Sequence, residues 1–250
     1  MTGIYIAIEG PTGVGKSTLA AALARAMDGE LLADPFTVNP YLEALLTGDP
    51  TPELPVLVEL TFVALRVAQL RAAAATLAAG GTVVADWALL KTPIFAGTTL
   101  PAGDAQRIAD TCTVWAPSLP TPDVLIGMSA SLPTLRARVA RRGRAMEAGL
   151  TPAALRTLRA AFDAAYVAWP GRLIRLDANR FDSFDPDHIA ELAARCRPLP
   201  SLRRPCETDS PRRADPHTAV NDPGAAAAGD AHRPGPGRPD HRAAATTEPR

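Results

Sequence analysis

The chain is poor in lysine. Of its 26 basic residues only Lys16 and Lys91 are lysines, so arginine serves almost wherever a positive charge is needed. A compact ammonium and a planar guanidinium fork are not interchangeable, and both lysines become candidates for tasks that arginine cannot perform. Histidine is scarce too: His188, His217, His232 and His241 all lie in the last quarter, which argues against a Ser/His/Asp hydrolase or a histidine-ligated metal enzyme. Cys112, Cys196 and Cys206 are widely spaced and form no CxxC or Cys/His cluster, as a zinc site or disulfide framework would need. No apolar run reaches the length of about 18 residues that a membrane span requires, and no signal-peptide pattern opens the chain. With 26 acidic against 26 basic residues, the formal charge of zero predicts neither a nucleic acid nor a membrane partner. A reducing cytoplasm is the expected compartment.

What is present is a sizeable apolar fraction, 47% of 250 residues, enough for one α/β domain with a buried core. From Pro198 the composition shifts to Pro, Arg, Ala, Gly and Asp, and after Leu202 the only large aliphatic residue is Val220. Such a segment cannot offset its chain entropy by burial, so residues 1–197 are expected to fold and 198–250 to form a disordered tail. Within the folded part, the strand-like runs IYIAIE, ELLAD, TVVAD, DVLIGM and RLIRLD alternate with helical patterns. The helical patterns are LAAALARAM, a long one over about 55–79, one over 104–115, SLPTLRARVARR and TPAALRTLRAAFDAAYVAW. This alternation predicts a three-layer α/β fold, a parallel five-stranded sheet flanked by helices. Ligands of such sheets gather at the carboxyl ends of the strands, which would bring Asp34, Asp86 and the loop after Glu9 together.

That loop is the clearest motif. Gly10-Pro11-Thr12-Gly13-Val14-Gly15-Lys16-Ser17-Thr18 fits G-x-x-x-x-G-K-[ST] between a strand and a helix. Its glycines let backbone N–H groups close around a phosphate, helped by the helix N-terminus. Lys16 would reach the β- and γ-phosphates and Ser17 would offer its hydroxyl to magnesium, which implies ATP and Mg2+ as cofactors. No NKxD guanine signature appears and the domain is short for a motor ATPase, leaving a small-molecule kinase.

Further motifs follow in order: Asp34-Pro35-Phe36, Asn39-Pro40-Tyr41-Leu42, Glu59-x-x-Phe62-x-x-x-Arg66, Asp86-Trp87-x-x-x-Lys91 and Arg142-Gly143-Arg144-x-x-Glu147. Together they resemble the deoxynucleoside kinase family, in the variant with D-[YW]-x-x-x-K in place of D/E-R-S. The resemblance implies a P-loop kinase fold with an arginine-rich lid and a homodimer. It also implies phosphorylation of the 5'-hydroxyl of a small-molecule nucleoside, in nucleotide salvage. Carried over, Asp34 accepts the hydroxyl proton, Ser17 and Asp86 hold magnesium, and Lys91 steadies the transferring phosphoryl group. Arg142 and Arg144 become the lid arginines, Arg138 joins the loop at the nucleotide, and Glu147 holds the sugar 3'-OH. Tyr41, Glu59, Arg66 and Asp86 complete the substrate-binding set. The family has glutamine at position 59. An ionised glutamate only accepts hydrogen bonds, favouring a base or sugar that offers a donor, such as an adenine, cytosine or guanine amino group, unless Glu59 simply pairs with Arg66; a purine deoxynucleoside is the expected acceptor.

Plain structural alternatives stand beside these roles: a turn residue before proline for Asp34, a helix cap for Asp86, a solvent-facing lysine for Lys91. Two other functions share the loop: a nucleoside monophosphate kinase of the thymidylate type, and a nucleotide-binding regulatory protein without catalysis.

Overall fold

The computed structural model describes residues 3–47, 51–144, 147 and 149–197; the segment 198–250, expected to be disordered, lies outside the described residues. Five strands, β1 (Ile4–Glu9), β2 (Glu30–Leu32), β3 (Thr82–Ala85), β4 (Val124–Ser129) and β5 (Leu173–Asp177), form one parallel sheet in the order β2-β3-β1-β4-β5. All five expected strand runs are present. Parallel neighbours cannot be joined by tight turns, so each connection carries helix across a face of the sheet.

The helices are α1 (Lys16–Ala26), α2 (Pro40–Thr47), α3 (Leu54–Ala78), α4 (Lys91–Thr99), α5 (Ala102–Trp115), α6 (Leu132–Arg142), α7 (Pro152–Ala168) and α8 (Pro186–Cys196). Among the described residues no helix is long and apolar enough to cross a membrane. Side chains along β1 alternate between two cores. Ile6 and Ile8 pack with Leu19, Leu23, Leu135 and Leu192 on one face. Tyr5 and Ala7 pack with Val67, Leu70, Phe162 and Tyr166 on the other. A strand apolar on both faces belongs at the centre of a covered sheet, and β1 lies there.

Centrality decides where the chemistry sits. β1 runs into the glycine loop, its neighbour β3 runs into Asp86, and β2 leads to Asp34, so three functional segments leave adjacent strands at the same edge.

Candidate active site

The loop after β1 is shaped by backbone that other residues adopt poorly. Gly13 has φ +87°, and a Cβ there would lie 2.9 Å from the Leu135 carbonyl oxygen; Gly10 would bring one to 2.6 Å from the Met128 oxygen. Lys16 opens α1, and its Nζ donates to the Gly10 carbonyl at 2.7 Å. Burial, and then the charge of Lys91, lowers its pKa to about 8. Arg138 of α6 reaches across to donate to the Val14 carbonyl at 2.8 Å and the Ala178 carbonyl at 2.9 Å, bracing the loop against the exit of β5. Thr12, Gly13, Gly15, Lys16, Ser17 and Thr18 face a cavity of about 430 Å³.

Asp86 is 4% exposed and holds two segments at once. One carboxylate oxygen accepts the Ser17 hydroxyl, and the other accepts the Asp34 N–H at 2.6 Å. The Asp34 carboxylate in turn receives the Lys91 ammonium on one oxygen and Arg66 on the other, the latter at 3.0 Å. Arg66 also donates to Thr92 Oγ1 at 2.5 Å, with its guanidinium 4.6 Å from the Phe62 ring centre and 5.5 Å from that of Trp87. Burial alone would raise the pKa of Asp34, but the two cations and their hydrogen bonds outweigh it and hold the carboxyl at about 2. Lys91 is 9% exposed, which removes the solvent-facing alternative, and the Asp34 carboxylate is bound to side chains rather than capping the turn it begins.

The opposite wall is apolar with one exception. Leu42, Leu45, Val58, Phe62 and Phe95 line it, and among them stands the buried carboxylate of Glu59. Among the described residues the Glu59 Oε2 has no hydrogen-bond partner, and the ion pair of Arg66 goes to Asp34, not to Glu59. Burial raises the pKa of Glu59 to about 7, against the opposing charges of Arg66 and Lys91. Arg142 pairs with Glu147 through one guanidinium edge, Nε donating to Oε2 at 3.1 Å and Nη2 to Oε1, while Arg144 lies 4.6 Å over the Phe36 ring. Tyr41 is not brought in. It is 39% exposed and outside the cavity, because α2 turns Leu42 and Leu45 inward and Tyr41 precedes that face.

Residues 6–197 match the sequence model of the deoxynucleoside kinase family. The chain belongs to the deoxynucleoside kinase family. It is 35% identical over 147 residues to the deoxyguanosine kinase of Bacillus subtilis, spanning 58% of this chain and 70% of that one. In fold it is similar to structures of deoxyadenosine kinase from M. mycoides. The one with products dCMP and a flexible dCDP bound gives a TM-score of 0.64 at 23% identity over 77% of this chain and 97% of that one. The one with bound dATP gives 0.63 at 23% identity over the same shares. The protein is accordingly a phosphotransferase that acts on a nucleoside hydroxyl and uses a nucleoside triphosphate.

One buried group of this deoxynucleoside kinase escaped the motif reading. Glu9, the last residue of β1, is 0% exposed. Its Oε1 accepts the Ala88 N–H at 2.6 Å and its Oε2 the Gly10 N–H at 3.3 Å. Burial raises its pKa to about 7, against the charges of Lys91, Lys16 and Arg66. The only sequence signal was an acid closing an otherwise apolar strand run.

Proposed function

We propose that this kinase transfers the γ-phosphoryl group of ATP to the 5'-hydroxyl of a purine deoxynucleoside, as a cytoplasmic enzyme of nucleotide salvage. The observation that carries this reading is the Asp34 carboxylate, held between Lys91 and Arg66 on the same cavity as the phosphate loop. Lys16 would exchange its Gly10 carbonyl for phosphate oxygens. A second hollow of about 330 Å³ behind the loop, lined by Gly15, Thr18, Arg138, Arg141, Phe181 and Phe184, has room for the donor's base.

The acceptor hydroxyl would donate its hydrogen bond to Asp34. In a loose phosphoryl-transfer transition state the nucleophile keeps most of its proton until late, so a strongly acidic carboxyl serves chiefly to orient the hydroxyl. The new bond joins the 5'-oxygen to phosphorus, the bond to the β-phosphate oxygen breaks, and the proton leaves through Asp34. Lys91, Arg142 and Arg144 would balance the charge that spreads over the phosphoryl oxygens. Glu147, paired with Arg142, would meet the 3'-OH.

Magnesium fits the donor set. Ser17 and Asp86 place two hard oxygens in contact beside the phosphate loop. Mg2+ is commonly held by one or two protein oxygens, with water and substrate phosphates completing its shell. Bound there, it would neutralise the β- and γ-phosphates. Homodimer formation would use the outer helices, where Val114 of α5 and Val167 of α7 are 77% and 80% exposed.

Purified protein with ATP, Mg2+ and a panel of nucleosides and monophosphates is expected to yield 5'-monophosphates of purine deoxynucleosides. Turnover on monophosphates alone would overturn the reading. The choice between purines is expected to rest on Glu59. An ionised carboxylate matches guanine, whose N1–H and N2–H₂ both donate, whereas adenine presents an acceptor beside a donor. The deoxyguanosine kinase name of the B. subtilis relative supports this choice. The kcat/KM ratio of deoxyguanosine to deoxyadenosine is therefore expected to rise as pH passes through about 7, where Glu59 loses its proton. Glu59→Gln, which donates and accepts at every pH, is expected to lower that ratio about tenfold and flatten its pH dependence.

A further inference from the structure

Two turns must keep a fixed distance if phosphoryl transfer is to work: the phosphate loop, which carries the donor, and the 86–91 turn, which carries Asp86 and Lys91. Two sets of hydrogen bonds tie them together. The first tie, Ser17 to Asp86, consists of groups that a bound nucleotide and metal ion would claim. The second is Glu9, whose carboxylate takes one N–H from each turn, Gly10 on the loop and Ala88 on the other.

The chain of contacts runs on toward the reacting centre. The Ala88 carbonyl accepts the Lys91 N–H at 3.0 Å, so the backbone unit that Glu9 grips also seats the first residue of α4. Between Asp86 and Ala88 stands Trp87, fully buried, which prevents the turn from sliding as a body. Glu9 itself cannot shift readily. It closes a strand in register with Gly127, where an added Cβ would come within 3.0 Å of the Tyr166 ring, so the packing around this layer is already close. No part of Glu9 reaches the cavity surface, and a carboxylate that is 0% exposed is costly unless its hydrogen bonds repay the burial.

We propose that Glu9 is a positioning residue that registers the phosphate loop against the Asp86–Lys91 turn, and so sets Lys91 relative to the donor's terminal phosphate. This role rests on the nucleoside kinase reading, because that reading places Asp86 and Lys91 at the transferring group. Glu9 touches neither substrate. Its loss slows the chemical step and leaves substrate binding nearly intact.

The test uses the full chain and the nucleoside that the wild-type enzyme turns over best. Glu9→Ala is expected to lower kcat at least about tenfold with both KM values within about threefold, since small misplacements of a reacting group cost rate more than affinity. Glu9→Gln keeps an oxygen for the Ala88 N–H but turns its NH2 toward the Gly10 N–H, and is expected to recover part of the loss. Glu9→Asp, one methylene short, is not. Amide hydrogen exchange at Ala88 is expected to quicken in the Ala and Asp variants and to return toward the wild-type rate in Gln. If Glu9→Ala does not fold, the Asp and Gln variants carry the comparison. Retained kcat in Glu9→Asp, Gln as damaging as Asp, or an unchanged Ala88 exchange rate overturns the proposal. Failure of the wild type to turn over any nucleoside sinks the nucleoside reading instead, whereas turnover that is indifferent to Glu9 sinks only the positioning role.

Discussion

Replacing Lys91 by alanine is expected to cut kcat about 100- to 1,000-fold while the KM for ATP stays within about threefold. The asymmetry follows from where the ammonium sits. Its contact is to Asp34, where the acceptor hydroxyl is proposed to bind, whereas Lys16, proposed to meet the triphosphate, contacts the Gly10 carbonyl. Arg66, the other cation on Asp34, is not free to take its place: it is committed to Asp34 and Thr92 and packed against two aromatic rings. Lys91→Arg is not expected to rescue the rate, since a planar fork cannot occupy a compact, 9%-exposed ammonium site without displacing its surroundings. An unchanged kcat in Lys91→Ala would remove the residue from the reaction.

Asp34→Ala is expected to be the more damaging change, and on two measurements at once. On the proposed mechanism the acceptor hydroxyl then lacks its hydrogen-bond partner, and kcat is expected to fall about 1,000-fold. Two nearly buried cations also lose their shared partner, so the folded state is expected to weaken by about 3 kcal/mol in denaturant unfolding. The acid limb of stability gives an independent check. Because the folded pKa of Asp34 is depressed from 3.8 to about 2, its contribution is present above the unfolded value and is lost as pH falls through the folded one. That contribution is about 2 kcal/mol at neutral pH. Asp34→Asn is therefore expected to be less stable at neutrality yet to lose less stability between pH 4 and pH 2. Wild-type-like kcat in Asp34→Asn would exclude the carboxylate from the chemistry.

The parts of the site that were legible beforehand are those in which chemistry restricts the residue type. A phosphate loop needs glycine, lysine and a hydroxyl at fixed spacing, and two lone lysines in an arginine-rich chain advertise themselves. Strand ends carrying Asp34 and Asp86 were readable because a parallel sheet gathers its ligands there. The architecture was equally plain in five apolar runs separated by helical periodicity.

What stayed hidden depended on tertiary contacts. Helix α4, with Pro93, Gly97 and several threonines, has weak intrinsic helix propensity, and it is held by packing: Phe95 meets Phe162 of α7 edge-on at 6.3 Å. Helix α8 carried ordinary signals, a capping Asp185, Pro186 at its first position, and Ile189, Leu192, Ala193 and Cys196 on one face. They were overshadowed by the change of composition that follows. Tyr41 shows the opposite error: a residue can sit inside a recognised motif and still point to solvent, because helix phase, not motif membership, decides its direction. Sequence alone also could not say whether Glu59 pairs with Arg66, because the competing claim of Asp34 on that guanidinium comes from the distant segment after β2.

The two carboxyl groups lifted to about 7, Glu9 and Glu59, give the site a capacity that its shape alone does not reveal. Cations oppose the rise in both, Lys91, Lys16 and Arg66 for Glu9 and Arg66 and Lys91 for Glu59. A polyphosphate arriving among those cations would offset part of their pull on Glu59, so the apparent nucleotide affinity is expected to change with pH near 7, a dependence that Glu59→Gln is expected to remove.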